Sequence, residues 1–229
     1  MKLLFVDTCG AMAGVALGDG GRIIVETNLA LDRRLSTRLL SVIGGLFAEA
    51  GMTVADLDGI GVACGPGSFT GVRIGMATVK GMAQAATLPV VGVSTLALLA
   101  ANVPFARYQV CALMDARKKE VYAGLFRCEP LPVPVGPERV MPPDRFLQNI
   151  SEPTVFVGDG VLAYRDLIEA RCGDLAYFAP SSCAHPRGAC GIILSREAFL
   201  RGEGIPPERL DPVYIRASEA ETAKKLAEC

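Results

Sequence analysis

Apolar positions in the first third of the chain change spacing several times, and the changes mark the elements. Residues 3–7 form a short apolar run closed by Asp7, and two more runs at 13–18 and 22–28 flank Gly18-Asp19-Gly20-Gly21. Apolar runs joined by such a glycine-rich pair are the signal of a β-hairpin, so three strands are expected. From Arg34 to Ala50 the period widens to that of a helix. Leu35, Leu39, Val42, Ile43, Leu46 and Ala50 make one stripe, with Leu40, Gly44 and Phe47 to one side, and Gly51 supplies the stop. A buried strand at 59–64, a helix at 69–86, a strand at 90–93 and a helix at 94–102 complete the first half.

The second half repeats this order. Strands are expected at 108–115, 120–127 and 132–136, a helix at 143–149, a strand at 154–158, a helix at 161–171, a strand at 175–178 and a helix at 188–201. The Pro-rich stretch 130–143 reads as an irregular connection. Asp7 and Asp115 each close the first strand of a half. Two copies of a β-β-β-α-β-α-β-α unit predict a duplicated α/β fold of the actin-like/Hsp70-like (ASKHA, ribonuclease H-like) architecture with two similar subdomains. The expected division is 1–103, 104–216 and a helical tail at 217–229.

Composition narrows the function classes. The 229 residues are 51% hydrophobic, with mean hydropathy +0.36. No apolar run reaches the roughly 18–20 residues that span a bilayer. Met1-Lys2-Leu3-Leu4-Phe5-Val6-Asp7 does not read as a signal peptide. A cytoplasmic protein with no membrane partner is therefore expected, and the apolar excess is attributed to a protein interface. The net charge of −1 argues against independent nucleic-acid binding. Arg33, Arg34 and Arg38, and Arg117, Lys118 and Lys119, are local basic groups expected on solvated surface. Eight cysteines without a CxxC pair read as reduced thiols. Cys172, Cys183, His185 and Cys190 match no common zinc spacing, so no metal is expected.

Candidate chemistry is then thinned by subtraction. His185 is the only histidine, which removes two-histidine metal motifs and leaves a Ser-His-Asp peptidase without a nucleophile elbow. In nucleotide-binding members of this architecture, glycines after each strand-end aspartate let backbone N–H groups approach phosphates. Asp7-Thr8-Cys9-Gly10 keeps an aspartate and a hydroxyl, so Asp7 and Thr8 are the candidates for nucleotide contact. Asp115-Ala116-Arg117-Lys118-Lys119-Glu120 has no glycine and three bulky cations.

The run Gly65-Pro66-Gly67-Ser68-Phe69-Thr70-Gly71-Val72-Arg73-Ile74-Gly75 lacks the lysine of a P-loop. Gly65, Pro66, Gly67 and Ser68 are read as a tight turn with Ser68 capping the next helix. In that helix Gly71, Gly75, Thr78 and Met82 fall on one face, while Ile74, Met76, Ala77 and Ala85 are assigned to the core side. Helical glycines cost roughly 1 kcal/mol each against alanine, so close helix–helix approach is their expected reason. With Leu40, Gly44 and Phe47 they make the expected partner interface. Cover by a second layer of the same chain is the other reading.

This glycine run, together with Val6-Asp7-Thr8, Val91-Gly92-Val93-Ser94-Thr95-Leu96, Asp115-Ala116-Arg117-Lys118-Lys119-Glu120-Val121-Tyr122 and Pro212-Val213-Tyr214-Ile215-Arg216, resembles the bacterial tRNA threonylcarbamoyladenosine biosynthesis family TsaB, also called YeaZ. The resemblance implies a non-catalytic subunit that pairs with its paralogue TsaD through the helices at 34–50 and 69–86. It further implies that the ATPase TsaE joins the pair, that tRNA is met only through the complex, and that the chain self-associates when alone. It implies transfer of a threonylcarbamoyl group to N6 of adenosine 37 in tRNAs reading ANN codons. No intrinsic cofactor is implied, ATP being used by the wider complex. One departure is Leu35-Ser36, where the family often has His-Ser. The alternative function is an ATP-dependent kinase or ATPase of the same fold.

Overall fold

The computed structural model describes residues 1–30 and 35–216, and the side chains of 35 and 36 are not described. The expected tail at 217–229, Cys229, Arg33 and Arg34 lie outside the described residues.

Three antiparallel strands open the chain: β1 (Lys2–Asp7), β2 (Met12–Asp19) and β3 (Arg22–Ala30). Gly20 and Gly21 make the β2–β3 turn with φ of +58° and +95°, which side chains resist. Helix α1 (Leu35–Ala50), β4 (Gly59–Gly65), α2 (Phe69–Ala86) and β5 (Val90–Ser94) follow, and β4 and β5 add in parallel beyond β1. The sheet order is β3-β2-β1-β4-β5. After α3 (Thr95–Ala100) the pattern repeats with β6 (Gln109–Asp115), β7 (Val121–Cys128), β8 (Pro132–Pro134), β9 (Arg139–Met141), α4 (Pro143–Leu147), β10 (Thr154–Val157), α5 (Asp159–Cys172) and β11 (Ala176–Phe178). Its order, β11-β10-β6-β7-β8, mirrors the first strand for strand. Strand β9, inside the stretch expected to be irregular, pairs with the first residues of β7, whose last residues pair with β8. Helix α6 (Gly188–Leu200) closes the repeat.

The strands divide near residue 103, but the helices do not. Helix α6 comes late in the chain and packs on the first sheet, while α3 comes early and packs on β6 and β7 of the second. Ser195 of α6 faces Gly61, and a Cβ on Gly191 would lie 2.1 Å from the Phe5 ring. The β3–α1–β4 and β4–α2–β5 crossovers run in one direction, so right-handed connection puts α1 and α2 together on the opposite face. The first sheet is thus covered on both faces, which is why β1 and β4 are buried almost throughout. The strands of the first sheet all precede residue 103 and those of the second all follow it, whereas α3 and α6 each pack on the sheet of the other half.

The segment 210–216 ties the halves together. Val213 N donates to the Cys64 carbonyl at 2.8 Å, and Lys80 Nζ donates to the Leu210 carbonyl at 2.8 Å. Tyr214 stacks on Phe69 with centroids 4.9 Å apart and accepts from Arg73 Nε at 3.0 Å. Arg216 Nη1 donates to the Ala116 carbonyl at 2.7 Å, and the same guanidinium pairs with Glu120.

Candidate functional site

The turn after β4 docks against the turn after β1. Ser68 N donates to the Cys9 carbonyl at 2.7 Å, and Ser68 Oγ accepts from Gly71 N at 3.3 Å, capping α2. Thr8 Oγ1 donates to the Gly71 carbonyl at 2.6 Å. A Cβ on Gly67 would sit 2.4 Å from the Cys9 carbonyl oxygen, one on Gly71 2.0 Å from that of Thr8, and one on Gly75 2.3 Å from Thr8 Oγ1. Gly65, at φ +110°, faces the Val213 carbonyl on its other side. The glycines therefore do clear a face for close approach, but the approaching backbone is this chain's own. This corrects the assignment of Gly71 and Gly75 to a partner interface: both are buried.

Asp7 lies beneath this junction, fully buried. One carboxylate oxygen accepts from Cys9 N at 2.8 Å, and the other has no partner among the described residues. Burial pushes its pKa up to about 6, with the Cys9 and Thr8 hydrogen bonds opposing. Asp115, its counterpart, is half-buried; it accepts from Arg117 N at 2.8 Å and pairs with Arg117 Nη1 at 3.3 Å. Arg117, Lys118 and Lys119 take φ of +61°, +53° and +62°, a left-handed run that Cβ atoms oppose. The two candidate phosphate turns are thus not alike: one is packed shut with glycine and the other is a solvent-exposed cationic tip.

The open surface lies elsewhere on the same helices. In α1, Leu39, Ile43 and Leu46 are buried, and Phe47 joins them at 8% exposure, so its interface assignment is also corrected. Leu40 is 59% exposed, and Gly44, Gly45 and Ala48 are exposed beside it. In α2 the buried side is Val72, Met76, Val79 and Ala83. Ala77 and Ala85, expected in the core, are exposed together with Gly81, while Thr78 and Met82 are half-buried. A Cβ added at Gly44, Gly45 or Gly81 would meet nothing within 4 Å. The stripe Ala77-Gly81-Ala85 carries the same i, i+4 spacing as Gly71-Gly75, and that spacing was the signal available for it.

The four residues weighed as a zinc site do not converge. Cys183 and Cys190 Sγ both contact Asn102, whereas Cys172 lies in the core cluster around Cys111 and Phe156. Among the described residues no His/Cys/Asp/Glu group could hold a metal, and no helix is long and apolar enough to cross a membrane.

Comparison with known proteins settles the family. A family model described as "TsaD: tRNA N6-adenosine threonylcarbamoyltransferase" matches residues 29–224. The tRNA threonylcarbamoyladenosine biosynthesis protein TsaB of Bacillus subtilis is 31% identical over 225 residues, covering 96% of each chain. The chain belongs to the TsaB family. TsaB of Escherichia coli is 29% identical with the same coverage. The solved structure of YeaZ from Pseudomonas aeruginosa superposes with a TM-score of 0.81 at 32% identity, covering 93% of this chain and 99% of that one. The ethanolamine utilization protein EutJ from Carboxydothermus hydrogenoformans, 11% identical over 85% of this chain and 90% of its own, shares the fold alone with a TM-score of 0.52. The duplicated actin-like architecture is therefore that of a TsaB-family chain, and its motif glycines lie at the junction of β1 and α2.

Proposed function

We propose that this chain takes part in the biosynthesis of threonylcarbamoyladenosine in tRNA as a non-catalytic scaffold subunit. In this proposal it pairs with a TsaD-type transferase through the outer faces of α1 and α2, TsaE joins the pair, and tRNA is met only within the assembly. The chain works in the cytoplasm and uses no cofactor of its own, ATP being consumed elsewhere in the complex. The observation that carries the proposal is a pair of open small-residue faces, Gly44, Gly45 and Ala48 beside exposed Leu40 on α1, and Ala77, Gly81 and Ala85 on α2. Each interior helical glycine costs roughly 1 kcal/mol against alanine. No described residue uses the space that Gly44, Gly45 and Gly81 leave, and a helix from outside is a physical reason for them.

The alternative, an ATP-dependent kinase or ATPase, is less well supported. Gly67, Gly71 and Gly75 already cover the main chain at Thr8 and Cys9, and Arg117, Lys118 and Lys119 stand where the second turn would need glycine. The discriminating experiment is co-purification with TsaD. Gly81→Arg and Gly44→Arg should keep wild-type thermal stability and lose most of the TsaD recovered. Wild-type yield from both variants would put the interface elsewhere, and steady ATP turnover by the chain alone would restore the alternative.

A further inference from the structure

A groove of about 420 Å³ opens on the second sheet, between β7, β9 and the short helix α4. The volume is within the range of small-molecule sites, about 300–1,000 Å³. Its floor is Leu125, Met141 and Phe146, the outer margin of the core cluster under α4 and α5. Two guanidiniums, Arg139 from β9 and Arg145 from α4, stand at its walls, and both side chains are exposed.

Neither guanidinium has an ion-pair or hydrogen-bond partner among the described residues. Their neighbours do. Arg127, on the same strand as Leu125, is held by Glu152 at 2.6 Å. Glu138, next to Arg139 in the chain, accepts from Ser94 Oγ and is turned away toward α3. The carboxylate next to Arg139 in the chain is thus engaged elsewhere. Gly136 and Pro137 also line the groove, and a Cβ at Gly136 would meet nothing within 4 Å.

We propose that this groove binds a small phosphate monoester carrying an apolar or aromatic body. Each guanidinium presents five N–H donors in a planar fork. Two forks supply more donors than one carboxylate can accept, whereas the three terminal oxygens of a phosphate monoester can take both. Gln148 and Asn149 at the rim add polar groups; Asn149 Nδ2 is committed to the Phe146 carbonyl, leaving its side-chain oxygen for the ligand or water. The apolar floor takes the body of the ligand. The site is remote in sequence from α1 and α2 and independent of the proposed pairing with TsaD, so neither idea stands or falls with the other.

The test is a titration of the full chain followed by backbone amide NMR, using phenyl phosphate, inorganic phosphate, benzoate and phenol as separate probes. Phenyl phosphate should shift the resonances of Gly136, Arg139 and Asn149 and bind about tenfold or more tightly than any of the others, because only it uses both parts of the groove. Arg139→Gln and Arg145→Gln should each weaken it about tenfold while melting at the wild-type temperature, since both side chains are exposed. Three results would overturn the proposal: shifts confined to another region, benzoate or inorganic phosphate binding as tightly as phenyl phosphate, or unchanged affinity in both variants.

Discussion

Asp7 and Asp115 close the first strand of two halves with the same strand order, yet their surroundings have little in common. The turn after Asp7 is covered by Gly67, Gly71 and Gly75, and its aspartate is fully buried with one oxygen unpartnered among the described residues. The turn after Asp115 is a cationic tip, three left-handed non-glycine residues held by Asp115 and Glu120 and tied to the segment 210–216 through Arg216. In each half a helix starts near the aspartate, α2 after β4 in the first and α5 after β10 in the second. In the first half glycines let α2 close onto the turn. In the second, Asp159 at the start of α5 accepts a hydrogen bond from Asp115 N at 3.1 Å, and the tip stays in solvent. Duplication preserved the topology, and residue size at a few positions decided what each turn became.

The largest effect that would break this contrast is steric. Gly71→Val places a branched side chain where a Cβ already falls 2.0 Å from the Thr8 carbonyl oxygen, and should cost about 3 kcal/mol or more. On the same helix Gly81→Ala meets nothing and should stabilise by roughly 1 kcal/mol. Urea unfolding of the pair checks both signs. A Gly71→Val protein as stable as wild type would mean that the first turn is not packed shut.

The next effect is electrostatic. The folded-state pKa of Asp7 lies near 6, above its ordinary value of 3.8. The native state therefore binds the proton more tightly than the unfolded chain. That contribution is fully present below about pH 4 and is lost as pH rises through about 6. Two pH units correspond to on the order of 3 kcal/mol. Asp7→Asn, which cannot ionise, should remove this slope, so its stability relative to wild type should improve by about 2–3 kcal/mol between pH 4 and pH 7.5. Parallel pH–stability curves for the two proteins would show that Asp7 is not strained by its burial.

The smallest effect sharpens the other side of the comparison. Lys119→Gly relieves a φ of +62° at an exposed position and should stabilise the fold by about 1 kcal/mol. The equivalent change in a turn already built with glycine has nothing to relieve. A thermal melt resolves the difference, and a destabilised Lys119→Gly would mean that the lysine side chain itself holds the tip together.

Much of this was legible before any coordinates. The hairpin glycines, the cap at Ser68, the α1 stripe of Leu39, Ile43 and Leu46, and the repeat of the strand pattern all lie where local spacing puts them. Strand β9 was missed because it has three residues and forms only by pairing with β7. Phe47 was misplaced because it borders the α1 stripe, where periodicity blurs. In α2 the error had a sharper cause. Gly71-Gly75 and Ala77-Gly81-Ala85 are both small-residue stripes on one helix, and hydrophobic periodicity cannot rank them.

The sequence by itself determined the period of each element, the duplication and the presence of close approach somewhere along α2, because these follow from local propensity and from side chains that are absent. The tertiary structure alone decided which stripe faces inward. It did so by bringing the β1–β2 turn, more than sixty residues away in the chain, onto Gly71 and Gly75. It also exchanged α3 and α6 between the two sheets. Both are long-range packing outcomes, and no local pattern of apolar and polar residues encodes which distant backbone will fill a given gap.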